Sequence, residues 1–220
     1  MFTLTMTDYK ISPSTMANQV ANQLKKMIIE GALVPEQRLN ERELCEQLNV
    51  SRTPLREAYR ILQADGLIQI KPQKGAVVIK KTNEDIENIF ELLAVLEGLA
   101  IRQAVANASE EEIAGIVKMH QEVEERFRQN DVSGYFEKSI GCHIAINRAA
   151  HNPFLTEIYD KLNLQVQAIR YKTNLDSNEI VQSVREHASF IQALQERDAE
   201  SAERRICEHM RRKKNTNMPD

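Results

Sequence analysis

Arg52 and Arg56 stand four residues apart in "NVSRTPLREAYRILQADGLI", with Ser51 ahead of them and Thr53 and Pro54 between them. Four residues return a helical side chain to the same face. A guanidinium on such a face can make the bidentate contact to guanine O6 and N7 that is the commonest specific contact in the major groove. Ser51 and Thr53 suit phosphate oxygens or the start of the helix itself. Taken alone, the arginines read as well as a solvated basic face. The second chemistry-bearing set is five histidines: His120, His143, His151, His187 and His209. His187 and His209 lie 11 residues on either side of Asp198. If the chain reverses there as a helical hairpin, their imidazoles reach similar height and can point into a bundle, where helical proteins build metal sites. Two surface histidines share that symmetry equally well. His120 falls on an apolar stripe and reads as a core or pocket histidine, and His151, beside Asn152-Pro153, as a turn residue. Arg102 and Arg170 are candidates for holding a pocket anion, although helical arginines are mostly surface residues.

The elements that must position these residues follow from periodicity. Met16, Val20, Leu24 and Met27/Ile28 recur at helical spacing and Gly31 stands where a C-terminal cap belongs. Asn40, with Glu43 three residues on, opens a second helix around Leu44 and Leu48. Ser51 opens a third, with Pro54 tolerated in its first turn and Leu55, Tyr59 and Leu62 on its apolar face. "LIQI" and "AVVI" then flank "KPQKG" as a hairpin, whose tip, with Lys71, Lys74 and Gly75, suits a wing along a nucleic-acid backbone. Helix, helix, turn, helix, hairpin is the order of a winged helix-turn-helix, here over residues 10–80. From Thr82 every periodic segment is helical. Thr82 caps the first, Ser109 with Glu112 opens the next, and further helices fit 132–150, 153–171, 178–197 and 198 to about 212, with a frayed "KKNTNMPD" tail. Residues 81–215 therefore read as an antiparallel helical bundle, and the fold class as mainly α.

Composition agrees with a nucleic-acid partner at one end. The 220 residues carry a net charge of -3. Residues 10–80 hold 11 Lys and Arg against 7 Asp and Glu, a net of +4, while the remainder, 18 against 25, is at -7. Such asymmetry points to nucleic acid at the positive end. Cys45, Cys142 and Cys207 are an odd, scattered set with no CxxC pair, which argues against a disulfide framework and a thiolate zinc site. No signal-peptide pattern and no window of 18 apolar residues is present. A cytoplasmic protein without a membrane partner is expected.

"GALVPEQRLNERELCEQLNVSRTPLREAYRILQADGLIQIKPQKGAVV", residues 31–78, resembles the N-terminal domain of GntR-family bacterial transcription regulators. Position by position, the resemblance implies that Arg42, Arg52 and Arg56 read or grip DNA, with Gly75 at the wing tip; Arg60 stays a solvated position. "IFELLAVLEGLAIRQA", "CHIAINRAAHNPFL" and "REHASFIQALQERDAESAERRICEHM" resemble the FCD effector domain of the FadR-like branch of that family. The resemblance implies a divalent metal (zinc, nickel or manganese) on His143, His187 and His209, and a small carboxylate effector. Two positions depart from the pattern. Ser139 stands for the family aspartate, one turn before His143, and a neutral hydroxyl replaces an anionic ligand poorly. Leu93 stands where an arginine often faces an effector carboxylate, so a less acidic effector is expected.

The leading expectation is a sequence-specific transcription regulator, a homodimer on a pseudo-palindromic double-stranded operator, controlled by a small metabolite, an organic acid or related compound. One alternative is a DNA-binding dimer whose bundle binds nothing. The other is a metal-dependent hydrolase, which the sequence disfavours: no carboxylate at helical spacing beside His143, no nucleophile motif and no phosphate-binding Gly-rich loop.

Overall fold

The computed structural model describes residues 15–73, 75–173 and 177–216, without the side chains of 168–173, 177 and 214–216. Lys74 and the side chain of Arg170 therefore lie outside the described residues. The chain divides into two compact units at Ile79/Lys80, one residue before the boundary expected from sequence.

The first unit holds α1 (Met16–Ile29), α2 (Glu41–Leu48), α3 (Arg52–Ala64), β1 (Ile68–Lys71) and β2 (Gly75–Val78). Leu24, Leu55, Ala58 and Leu62 are fully buried between α1 and α3. Gly31, at φ +79°, and Gly66, at φ +71°, close the helices before them in a region side chains rarely adopt. The hairpin is antiparallel, with Ile68 opposite Val78 and Lys71 opposite Gly75. The segment before α2 joins it: Leu39 N donates to Ala76 O at 2.9 Å and Val78 N to Gln37 O at 3.0 Å, around a bridge between Arg38 and Val77. The start of α2 is thereby fixed to the wing. Asn40 caps α2 through Arg42 N at 3.1 Å, and its amide donates to Glu43 Oε1 at 2.7 Å.

Ser51 occupies the cap position of α3 but makes no capping bond. A capping hydroxyl accepts from the second or third helical N–H, and the third residue here is Pro54, which has none. The exposed Ser51 hydroxyl is left for another partner.

The second unit is a bundle of α4 (Asn83–Asn107), α5 (Glu110–Arg128), α6 (Val132–Ala149), α7 (Pro153–Thr173), α8 (Ser177–Gln195) and α9 (Ala199–Thr216). Capping boxes start α4 (Thr82 with Asp85) and α5 (Ser109 with Glu112). His151 (φ +54°) and Arg197 (φ +58°) are left-handed residues of two interhelical turns. α4 packs along α9, and Gly98 is what permits the approach, since a Cβ there would meet Cys207 Sγ at 2.5 Å. α9 runs through part of the tail expected to fray, and Lys213 is buried in it, because its side chain faces the bundle interior one turn after His209. Among the described residues no helix is long and apolar enough to cross a membrane.

Candidate DNA-binding surface and histidine cavity

In the first unit, the N-terminal turn of α3, the start of α2 and the wing share one cleft of about 680 Å³. It gathers Arg38, Arg42, Arg52 and Gly75. Ser51, Arg52 and Thr53 are exposed on the first turn of α3, where the helix dipole favours anions. Gly75 has φ +75°, and a Cβ on it would stand 3.9 Å from Arg38 Nε. Arg38 escapes a sequence reading because only its long-range bridge to Val77 brings it to this surface. Arg56 is exposed one turn further along α3 and is held by Glu41: Nε donates to Oε1 at 3.0 Å and Nη2 to Oε2 at 2.9 Å. That hydrogen bond and the adjacent charge raise the Arg56 pKa above its ordinary value. Arg56 must share or leave Glu41 to read a base.

In the second unit, α6, α8 and α9 bring His143, His187 and His209 together, with one nitrogen of each inside a 4.8 Å group. The rings of His187 and His209 are 4.8 Å apart, as the pivot near Asp198 requires. His143 Nδ1 lies 2.5 Å from Glu97 Oε2, and His209 Nδ1 lies 2.7 Å from Glu186 Oε2. A carboxylate only accepts, so each Nδ1 carries the hydrogen, and in the neutral ring it is then the Nε2 that presents a lone pair. This is the tautomer a metal-ligating histidine needs, fixed by a carboxylate behind it. Arg212 in turn grips Glu186, with Nη2 donating to Oε2 at 2.8 Å, and also pairs with Glu179. Burial, then the neighbouring His209 and His143, push the His187 pKa well below its ordinary value, leaving a neutral imidazole.

The set could hold a metal once its widest pair closes in, since the three nitrogens span up to 4.8 Å. His143 Nε2 and His187 Nε2 are 3.2 Å apart. Nitrogens bound to one ion at about 2.0–2.1 Å, with angles between octahedral and tetrahedral, lie roughly 2.8–3.4 Å apart. Three histidines leave the remaining coordination positions to water or a ligand.

Ser139 lines the adjoining cavity with Tyr135, Ser183, His143, His209 and Lys213. Its free space is about 20 Å³, enough for roughly one water. Leu93 lies elsewhere: it is fully buried in the core cluster of Tyr159, Val166 and Met210 and is no part of the cavity lining. Arg102 is half exposed and pairs with Glu203 at 3.4 Å on the surface. His120 is buried with its ring 6.2 Å from that of His187. Its Nε2 lies 3.5 Å from Glu124 Oε1, too poorly aligned for a hydrogen bond, and burial lowers its pKa. His151 is exposed in its turn, 3.1 Å from Glu112.

The sequence reading saw no carboxylate beside His143, whereas α4 delivers Glu97 from 46 residues away. Glu97 is 1% exposed. It meets the imidazole and no solvent, so it orients a ring and is not placed to activate water. Glu97 and Glu186 were missed because their partners are on other helices, so that in the sequence they are charged residues in helices like many others, and Lys213 because it falls in the tail expected to fray.

The FCD domain profile matches residues 88–212, and that of bacterial regulatory proteins of the gntR family matches residues 16–78. Over 215 residues the chain is 27% identical to the uncharacterized HTH-type transcriptional regulator YdhC of Bacillus subtilis (strain 168), covering 94% of this chain and 96% of that one. Over 206 residues it is 29% identical to the probable D-xylose utilization operon transcriptional repressor of Paenarthrobacter nicotinovorans, covering 93% and 89%. Among solved structures, E. coli McbR/YncC shares the fold with a TM-score of 0.81 at 23% identity, covering 91% of this chain and 96% of that one. The relatives are transcription regulators and not enzymes, which removes the hydrolase reading. A helix-turn-helix unit with an arginine-lined cleft, followed by a helical unit with a histidine cavity, has its counterpart in both profiles, and the chain belongs to the gntR family of bacterial regulatory proteins that carry an FCD domain: it is a transcription regulator.

Proposed function

We propose that this regulator is a cytoplasmic repressor that binds a pseudo-palindromic double-stranded operator as a homodimer, and that a small metabolite held in the histidine cavity sets its DNA affinity. The observation that carries the reading is the cavity itself. Three buried imidazoles, two of them held in the ligand tautomer by carboxylates, are costly to bury unless a ligand uses them. Nε2 of His143, His187 and His209 would hold zinc, nickel or manganese, and an all-nitrogen donor set favours the first two. A bound ion supplies a Lewis-acidic anchor for an effector oxygen. On the DNA side, Arg42, Arg52 and Arg56 with Ser51, Thr53 and Gly75 form the contact set, and the cleft adds Arg38. A single short recognition helix reads too few bases for specificity, and dimeric helix-turn-helix proteins pair half-sites. Leu92 and Val95 on α4 and Phe154 and Ile158 on α7 support a dimer: they are large, apolar and more than half exposed, on two helices that pack together. A second copy would cover like with like.

The test is operator footprinting and affinity at fixed salt, joined to a thermal-shift screen of metabolites, since a ligand of the folded state raises apparent stability by RT ln(1+[L]/Kd). Two-fold protection, a dimeric complex and one metabolite that both stabilises the protein and changes operator affinity are expected. Operator binding indifferent to every stabilising metabolite would leave a DNA-binding dimer whose bundle has no sensing role.

A further inference from the structure

The three histidines of the cavity are not equally supported. Glu97 stands behind Nδ1 of His143 and Glu186 behind Nδ1 of His209, whereas the buried Nδ1 of His187 has no hydrogen-bond partner among the described residues. Burial holds His187 neutral, so one of its nitrogens carries a hydrogen and the other a lone pair. His143 Nε2, 3.2 Å from His187 Nε2, has no hydrogen to give, because Glu97 keeps that hydrogen on Nδ1. His187 therefore donates from Nε2 in the free cavity, and the ring must carry its hydrogen on Nδ1 instead before Nε2 can hold an ion. That tautomer needs an acceptor behind the ring.

Helix α5 brings one more imidazole to this place. His120 sits between Ile116 and Val123 on the buried face of α5 and is 7% exposed. Neither of its ring nitrogens has a hydrogen-bond partner among the described residues. A leucine would fill such a position without leaving polar atoms unpaired. The His120 ring centroid lies 6.2 Å from that of His187, about 1 Å beyond the separation of two directly hydrogen-bonded imidazoles. One turn along α5, Glu124 Oε1 lies 3.5 Å from His120 Nε2.

We propose that His120 is the positioning residue of His187: its Nδ1 accepts from His187 Nδ1–H, and its Nε2–H turns to Glu124. The inference rests on the reading of the three histidines as ligands of an ion. Each ligand ring is then backed by one carboxylate, directly for His143 and His209 and through a second imidazole for His187. The exchange of hydrogen from Nε2 to Nδ1 of His187 gains and loses no net proton.

The test uses the full chain, stripped with chelator, titrated with zinc and with nickel against a chromophoric chelator, and melted in denaturant without metal. Wild type should bind and His187→Ala should lose binding. His120→Leu should weaken binding roughly 10- to 100-fold, the usual cost of losing the partner behind a ligand. The metal-free His120→Leu protein should nevertheless be at least as stable as wild type, since unpaired buried nitrogens give way to an apolar group. His120→Gln, whose amide both accepts and donates, should restore most of the affinity. In zinc-loaded wild type, His187 Nδ1–H should give a slowly exchanging NMR resonance that His120→Leu lacks. Undiminished affinity in His120→Leu, with binding lost in His187→Ala, would overturn the role of His120 and leave the three-histidine site standing. Equal weakening in His120→Leu and His120→Gln, together with lost metal-free stability, would reduce His120 to packing and overturn it too. Binding of neither ion by wild type would remove the site and the inference together.

Discussion

At the scale of the residue, the histidine cavity is built from groups the sequence could nominate singly but not join. His187 and His209 are legible from their symmetry about Asp198, whereas Glu97 and Glu186, which fix the rings of His143 and His209, are visible only in space. Ser139 tests the metal reading. It lines the cavity one turn before His143, so Ser139→Asp adds an anionic oxygen at that place and should tighten zinc binding by at least tenfold in calorimetry. An unchanged affinity, with no ion found in either protein, would leave the cavity metal-free. The pH dependence has a fixed sign. Burial lowers the folded-state pKa of His187 and of His120 below the usual value near 6.5. The unfolded chain therefore binds more protons, and stability is complete above about pH 6.5 and declines as pH falls through that value toward the depressed folded pKa, by about 1.4 kcal/mol per unit for each group. Denaturant melts of the metal-free protein at pH 7.5 and 5.5 should show this loss, and His187→Asn should reduce it. A flat profile in wild type would mean that these rings take up protons as readily in the fold as in the unfolded chain.

At the scale of the element, caps and periodicity were legible because they are local. Thr82, Ser109 and Asn40 each accept the bonds their positions imply. The hairpin was legible from its turn residues, although Lys71 and Gly75 belong to the strands as their last and first pairs. What local reasoning misassigned is Ser51, whose place looks like a cap but whose partner position is occupied by Pro54. The two hydroxyls should therefore behave differently. Thr82→Ala removes a reciprocal capping box and should cost about 1 kcal/mol of stability. Ser51→Ala should cost less than about 0.5 kcal/mol, the low end for losing a cap, yet weaken operator binding at every sequence, as a lost phosphate contact does. Chemical denaturation and operator affinity of both variants decide the point. A Ser51→Ala variant as destabilised as Thr82→Ala, with unaltered DNA binding, would return Ser51 to a capping role.

At the scale of the whole molecule, sensing requires that the effector bind two arrangements of the protein with different affinity, since a ligand shifts an equilibrium only by that difference. The chain between the units is short. Ile79 N is still bonded to Leu67 O in the first unit at 2.9 Å, and Lys81 Nζ already donates to Gln165 Oε1 in the second at 2.7 Å. Thr82 then caps α4, the helix that delivers Glu97 to His143. An insertion between Lys81 and Thr82 would disturb that cap as well as the connection, so the informative site is the peptide bond between Ile79 and Lys80, where the units divide. Effector binding in wild type should change operator affinity by roughly 5- to 150-fold, the usual range for coupled sites. Six Gly/Ser residues inserted at Ile79/Lys80 should leave effector affinity unchanged and preserve operator binding while bringing that ratio close to one. Operator affinity with and without effector, measured in both proteins at one salt concentration, gives the two ratios directly. An undiminished ratio in the insertion variant would mean that the signal does not pass through this junction.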